Sequence, residues 1–286
     1  MEPYNLLLIP FVGFLVGIMI GLSGIGGGAV MTPFLIIMGI PSQIAIVTDL
    51  LFAFITKTIN FILGKTKLGE TKLIINKFIL FYMVIGSLSG MLIASQFVKK
   101  FLIHSEKINT VLTVFLAGVL IATALGIIMI NLVTKKSVNT PLTNHSVSII
   151  DPTEIYLSIS FTKMVMTLFT FGVIGFFVVL TSVGSGALGV VALLLLYPKL
   201  SIKQIVNIDI CYAIPLTLLS WCSLSYATNH SGDLHLLTQL LIGSIPGTFL
   251  SKLILKRING QLIHFLIVVL LLITSLKLLN KVFAIY

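Results

Sequence analysis

From Ile9 to Gly39 the chain is one hydrophobic run, and "GLSGIGGG" (21–28) sits at its middle. Runs of about 20 apolar residues are what a membrane-spanning helix requires. Further runs fall at roughly 43–63, 73–98, 108–133, 164–198, 204–228, 234–255 and 262–283. Only 9% of the 286 residues are charged, and 57% are hydrophobic. A soluble domain carries roughly 25% charged residues, so this chain cannot cover itself in water. The expectation is an all-α, multi-pass membrane protein.

The net charge of +10 comes from cations placed singly and in pairs at the ends of apolar runs. That placement fits the positive-inside bias of membrane proteins and argues against a nucleic-acid partner. No Lys or Arg precedes the first run, which argues against a cleaved signal peptide. Cys211 and Cys222 lie in one apolar segment and read as small buried hydrophobes. His104, His145, His230, His235 and His264 show no metal-ligand spacing. No nucleophile triad, phosphate loop or nucleotide motif is present, so the expectation is a non-enzyme with no cofactor and no metal.

The chain repeats itself. "GLSGIGGGA" (21–29) answers "VLTSVGSGA" (179–187), and "TDLLFAFIT" (48–56) answers "IDICYAIPL" (208–216). "GSLSG" (86–90) answers "GSIPG" (243–247), and Lys99–Lys100 answers Lys256–Arg257. Each pair sits at nearly the same offset, in the same order. The reading is two homologous four-segment repeats, 1–133 and 160–286, joined by a polar linker over 134–159.

The first run of each repeat is too long for a single upright span. At about 1.5 Å per residue, 9–39 would extend about 46 Å against a hydrocarbon core of about 30 Å. Either the segment tilts strongly, or two half-helices meet at the glycines as a re-entrant hairpin. Charge separates the two. With eight single spans, the Lys and Arg divide eight against nine, which is no bias. With hairpins at segments 1 and 5, one face holds Lys65, Lys67, Lys72, Lys77, Lys135, Lys136, Lys163, Lys199, Lys203, Lys252, Lys256 and Arg257. The other holds Lys99, Lys100, Lys107, Lys277 and Lys281. The positive-inside rule favours this arrangement. It places both termini outside the cytoplasm and leaves an odd number of crossings per half, so the repeats are inverted.

Inverted repeats with discontinuous helices are a recurrent plan for transporters, with the site near the bilayer midplane. A helix N-terminus offers unpaired N–H groups and partial positive charge to an anion. The candidate binding residues are therefore Ser23, Gly24, Gly26, Gly27 and Gly28 in one half and Ser182, Gly184, Ser185 and Gly186 in the other. Thr48 and Asn207 stand beside the two intramembrane carboxylates, Asp49 and Asp209, and join the set. Close packing on small residues is the plainer reading of the glycines.

Carboxylates inside a membrane are expensive and functional more often than not. Asp49 and Asp209 either carry a coupled proton or cation, or orient the glycine tips by accepting backbone N–H bonds. Lys57 lies about 12 Å beyond Asp49 along one helix. It either neutralises Asp209 across the pseudo-twofold, attracts the anion, or snorkels. Its counterpart in the second half is Thr217.

These residues resemble the sulfite exporter TauE/SafE family of membrane permeases. The resemblance rests on "GLSGIGGGAVMTPFL", "IVTDLLFAFITKTINF", "IVNIDICYAIPLTLLSW" and "LLIGSIPGTFLSKL". It implies a two-repeat secondary transporter of sulfite, organosulfonates, thiosulfate or related small sulfur anions. Val47 and Asn207 stand where family members often carry glycine, and Ile208 replaces a threonine. A passive anion channel, or a membrane component of a sulfur-handling pathway without transport of its own, is the alternative expectation.

Overall fold

The computed structural model describes residues 8–23, 28–65, 77–102, 108–138, 161–184, 186–198, 200, 202–254 and 260–283. The linker expected at 134–159 lies almost entirely outside the described residues. Among those described, every regular element is helical. In order they are α1 (Leu8–Ser23), α2 (Gly28–Ile37), α3 (Ser42–Lys65) and α4 (Lys77–Phe97), which ends in a π-helical turn, Val98–Leu102. They continue with α5 (Ile108–Val138), α6 (Phe161–Thr181), α7 (Ala187–Leu196), α8 (Ile202–Thr228), α9 (Leu234–Ile254) and α10 (Gly260–Phe283).

Among the described residues, seven helices, α3 to α6 and α8 to α10, are long and apolar enough to cross a membrane. The first of the eight expected segments supplies none, because it divides into α1 of 16 residues and α2 of 10. The fifth divides into α6 of 21 residues and α7 of 10. Large apolar side chains, among them Phe81, Ile93, Phe169 and Phe265, are mostly exposed on the outer surface. In water such a surface would drive association; in lipid it is the ordinary solvent-facing side.

Lipid gives no hydrophobic drive for helices to associate, so close backbone packing on small residues takes over. Two helix pairs show it. In the first, Gly13 and Gly17 of α1 abut Leu240 and Ser244 of α9, while Gly243 and Gly247 of α9 abut Pro10, Phe14 and Ile18 of α1. The register rises together on both helices, so they run parallel. In the second pair, Gly86 and Gly90 of α4 abut Leu168, Gly172 and Phe176 of α6, and Gly175 of α6 abuts Ser87. This pair is parallel too. At most of these glycines a methyl group would overlap neighbouring backbone.

Side-chain bonds fix where the other helix ends lie. Ser42 and Thr113 hydroxyls meet at 2.6 Å, and Gln43 N donates to Asn109 Oδ1 at 3.2 Å, so α3 and α5 start side by side. Lys281, near the end of α10, donates to the Ile36 carbonyl near the end of α2, at 2.7 Å. Tyr197 follows α7, and its hydroxyl lies 2.8 Å from that of Thr167 in the second turn of α6. The chain therefore doubles back, with α7 returning beside α6. Two buried apolar clusters fill the interior. One gathers α1, α2, α9, α10 and much of α5; the other gathers α4, α6, α7 and α8; α3 contributes to both.

Candidate functional site

The break between α6 and α7 is built by local hydrogen bonding. Thr181 Oγ1 donates back to Phe177 O at 2.7 Å, and Val183 N donates to Thr181 Oγ1 at 3.2 Å. The side chain thus competes with the helix for its own backbone. Ser182 then takes a left-handed conformation, φ 59°, and Gly184 takes φ 117°. Glycine adopts such angles at no steric cost, whereas serine bears about 1–2 kcal/mol. Non-glycine strain of this kind concentrates at functional sites. Ser182 is fully buried, and its Oγ has no hydrogen-bond partner.

The other half arrives at the same place. Gly28, the first residue of α2, is buried against the Ser182 carbonyl, with Asp49 Oδ2 beside it. Asp49, on α3, is fully buried. Its Oδ2 accepts a short hydrogen bond from Thr32 Oγ1, one turn into α2. Its Oδ1 has no partner; the Ser182 hydroxyl faces the carboxylate without completing a hydrogen bond. The first N–H groups of a helix lack intrahelical acceptors. The beginning of α2 therefore lies at a point holding a buried carboxylate and an unpaired hydroxyl.

Asp209, on α8, is buried, and its Oδ1 likewise has no partner. It presses on Gly189 of α7, where a methyl group would overlap it. Lys57, also buried, interacts electrostatically with both carboxylates. Asp49, Lys57 and Asp209 are the charged side chains buried among the described residues. Two negative groups thus share one positive group, in a setting where an unpaired buried charge is costly.

The residues expected at the site divide as follows. Gly28, Ser182, Asp49, Asp209 and Lys57 are brought together, and Gly184 and Gly186 are buried in the α6–α7 break. Thr48 is turned elsewhere: its Oγ1 accepts the Asp233 N–H at 3.0 Å, in the α8–α9 connection. Asn207 is half-buried on α8, two residues before Asp209. Gly24, Gly26, Gly27 and Ser185 lie outside the described residues, as does the side chain of Ser23.

Two neighbours were not singled out from sequence. Thr32 follows Gly28 by one helical turn, a spacing that puts both on one face. Tyr212 follows Asp209 by three residues and so shares its face. Its buried hydroxyl has no hydrogen-bond partner, lies toward Ser87 of α4 and senses the Asp209 charge. No cluster of three or more His, Cys, Asp or Glu residues suited to a metal ion occurs among the described residues.

The arrangement is a buried polar centre in an apolar helical body. The chain is similar to the probable membrane transporter protein YjnA of Bacillus subtilis (strain 168), at 30% identity over 266 residues, 93% of this chain and 96% of that one. No solved structure matches it. The family profile described as Sulfite exporter TauE/SafE matches residues 9–278, and the chain belongs to that family of membrane transporters.

Proposed function

We propose that this membrane transporter carries small sulfur oxyanions, such as sulfite, thiosulfate or organosulfonates, across the bacterial plasma membrane. The anion binds where the start of α2 meets the α6–α7 break. The observation that carries this reading is the contact of Gly28 with the Ser182 carbonyl, beside an unpaired Ser182 hydroxyl. It brings helix-end N–H donors from one half to a polar break in the other. Backbone N–H groups and hydroxyls suit an oxyanion, which accepts several hydrogen bonds at once. The family description points to the same substrate class.

The same reading holds the two halves, 1–133 and 160–286, to be inverted repeats. Support comes from tracing helix directions. Take the face where α10 ends. The Lys281–Ile36 bond brings the end of α2 to that face, so α3 and α5 both start there. α4 then runs toward it, and α6, parallel to α4, begins at the opposite face. α7 doubles back, so α8 also begins at the opposite face and ends at the first. There the α8–α9 connection meets Thr48, early in α3. α9 leaves that face, and α1, parallel to α9, leaves it too. One half enters from each side. The face bearing the twelve cations is then the cytoplasmic one.

The glycine contacts of the two helix pairs support the same reading. Gly17 against Ser244 and Gly175 against Ser87 are matching pairs at the repeat's own offset, as are Gly247 against Phe14 and Gly90 against Gly172.

The test is flux of labelled sulfite, thiosulfate and methanesulfonate into vesicles holding the purified protein. Saturable uptake of at least one, competed by the others, is expected. Flux that rises linearly with concentration would make the protein a channel. No flux of any would remove the substrate assignment.

A further inference from the structure

The shared cation has a consequence for coupling. With Asp49 and Asp209 both ionised, the buried side chains carry one excess negative charge beside Lys57. An anion entering that centre would meet like charge in a medium that screens it poorly. One proton on either carboxylate removes the excess. The two are not equivalent partners for it. Asp49 Oδ2 accepts the Thr32 hydroxyl, and its Oδ1 has no partner. Asp209 Oδ1 likewise has no partner, and it lies against Gly189 of α7.

We propose that Asp209 is the proton-binding residue of this transporter and that anion and proton move together, as a symport. The proposal rests on the substrate reading above.

The groups around Asp209 are few. Lys57 faces it from α3, and Gly189 faces it from α7. Tyr212 is its neighbour on α8, itself packed edge-on against Phe171 of α6 at 5.1 Å and turned toward Ser87 of α4. Lys99, from the π-helical turn, sits over Tyr226, more than four turns farther along α8. Lys57 is thus the charged side chain in direct play. A proton on Asp209 leaves Lys57 paired with Asp49, and the anion then finds a neutral centre with helix-end donors. When the proton leaves, the excess charge returns and expels the anion. Binding of the two is mutually favourable, as linkage requires.

Vesicles with a trapped pH-sensitive dye test this with thiosulfate and methanesulfonate, which stay ionised near neutral pH. An acid exterior should drive accumulation, and the interior should acidify only when anion is present. For one proton per univalent anion, a gradient of one pH unit supports up to about tenfold accumulation. Asp209→Asn should bring the accumulation ratio to one while labelled anion still exchanges at a reduced rate; Asp209→Glu should restore accumulation. Wild-type flux without proton entry, or Asp209→Asn accumulation equal to wild type, would overturn the symport and leave the substrate reading standing. Absence of anion movement in wild-type vesicles would overturn both. If Asp209→Asn does not fold, the wild-type dye signal and Asp209→Glu decide.

Discussion

Gly28 opens α2 directly against the carbonyl of Ser182, the first residue beyond α6. Those residues are more than 150 apart in sequence, and their contact joins the two breaks that define the candidate site. A methyl group on Gly28 would overlap that carbonyl and stand 3.3 Å from Asp49 Oδ2. Gly28→Ala should therefore cut anion flux at least tenfold, with Gly28→Leu abolishing it. Misplacements near 1 Å can cost about a hundredfold where an enzyme holds reacting groups by geometry. Size-exclusion profiles in detergent separate this from misfolding. A folded Gly28→Leu protein with wild-type flux would remove the site from this position.

Thr32 holds Asp49 through one hydroxyl, and the carboxylate is fully buried. Thr32→Val keeps the shape and removes the donor. Leaving a buried group unsatisfied costs about 1–3 kcal/mol, more when charged. The expected outcome is a lower thermal midpoint for Thr32→Val and near-normal stability for Thr32→Ser. Thermal unfolding followed by the fluorescence of Trp221, the single tryptophan, measures both. Equal midpoints would mean that the hydroxyl does nothing for Asp49.

Lys57 is the buried cation that feels both carboxylate charges, so its loss is harsher than the loss of either partner. Lys57→Gln leaves both without a cation, and breaking a buried pair costs about 3–5 kcal/mol. Lys57→Gln with Asp209→Asn should recover part of that loss, because the stranded charge is gone. Lys57→Gln with Asp49→Asn makes the same comparison for the other carboxylate. Chemical unfolding of the four proteins in each cycle provides the numbers; no recovery in either double variant would mean that Lys57 does not offset the buried carboxylates.

Much of this was legible from sequence because it depends on local composition. Segments expected at 43–63, 108–133, 204–228, 234–255 and 262–283 are found as α3, α5, α8, α9 and α10, with ends displaced by a few residues. The excess length of 9–39 and 164–198 pointed to breaks, and each run resolves into two helices around its small residues. The Lys57–Asp209 proximity was one of the alternatives the spacing left open. Other features depend on which surfaces meet. Thr48 looked like a site hydroxyl because it precedes Asp49, yet adjacent residues point to different helix faces, and its partner is Asp233. Thr32 is ordinary in sequence and matters only because α2 packs on α3. The "GSLSG" and "GSIPG" stretches were visible as repeats, but their partners on α6 and α1 were not.

Those stretches yield the sharpest comparison between the halves. A methyl group on Gly90 of α4 would overlap the Gly172 carbonyl of α6, and one on Gly247 of α9 would overlap the Phe14 carbonyl of α1. Forcing a methyl into such contacts costs about 1–3 kcal/mol, because backbone must move apart. If the halves are built alike, Gly90→Ala and Gly247→Ala should lower stability by similar amounts. Gly118 on α5 is the control, since nothing lies within 4 Å of a methyl group there. Gly118→Ala should be neutral or stabilising by up to about 1 kcal/mol, the difference between the two residues in a helix. The same fluorescence melt reads all three. A large loss at one interface with none at the other would mean that the duplicated sequence does not produce duplicated packing, and the inverted-repeat reading would lose its structural half.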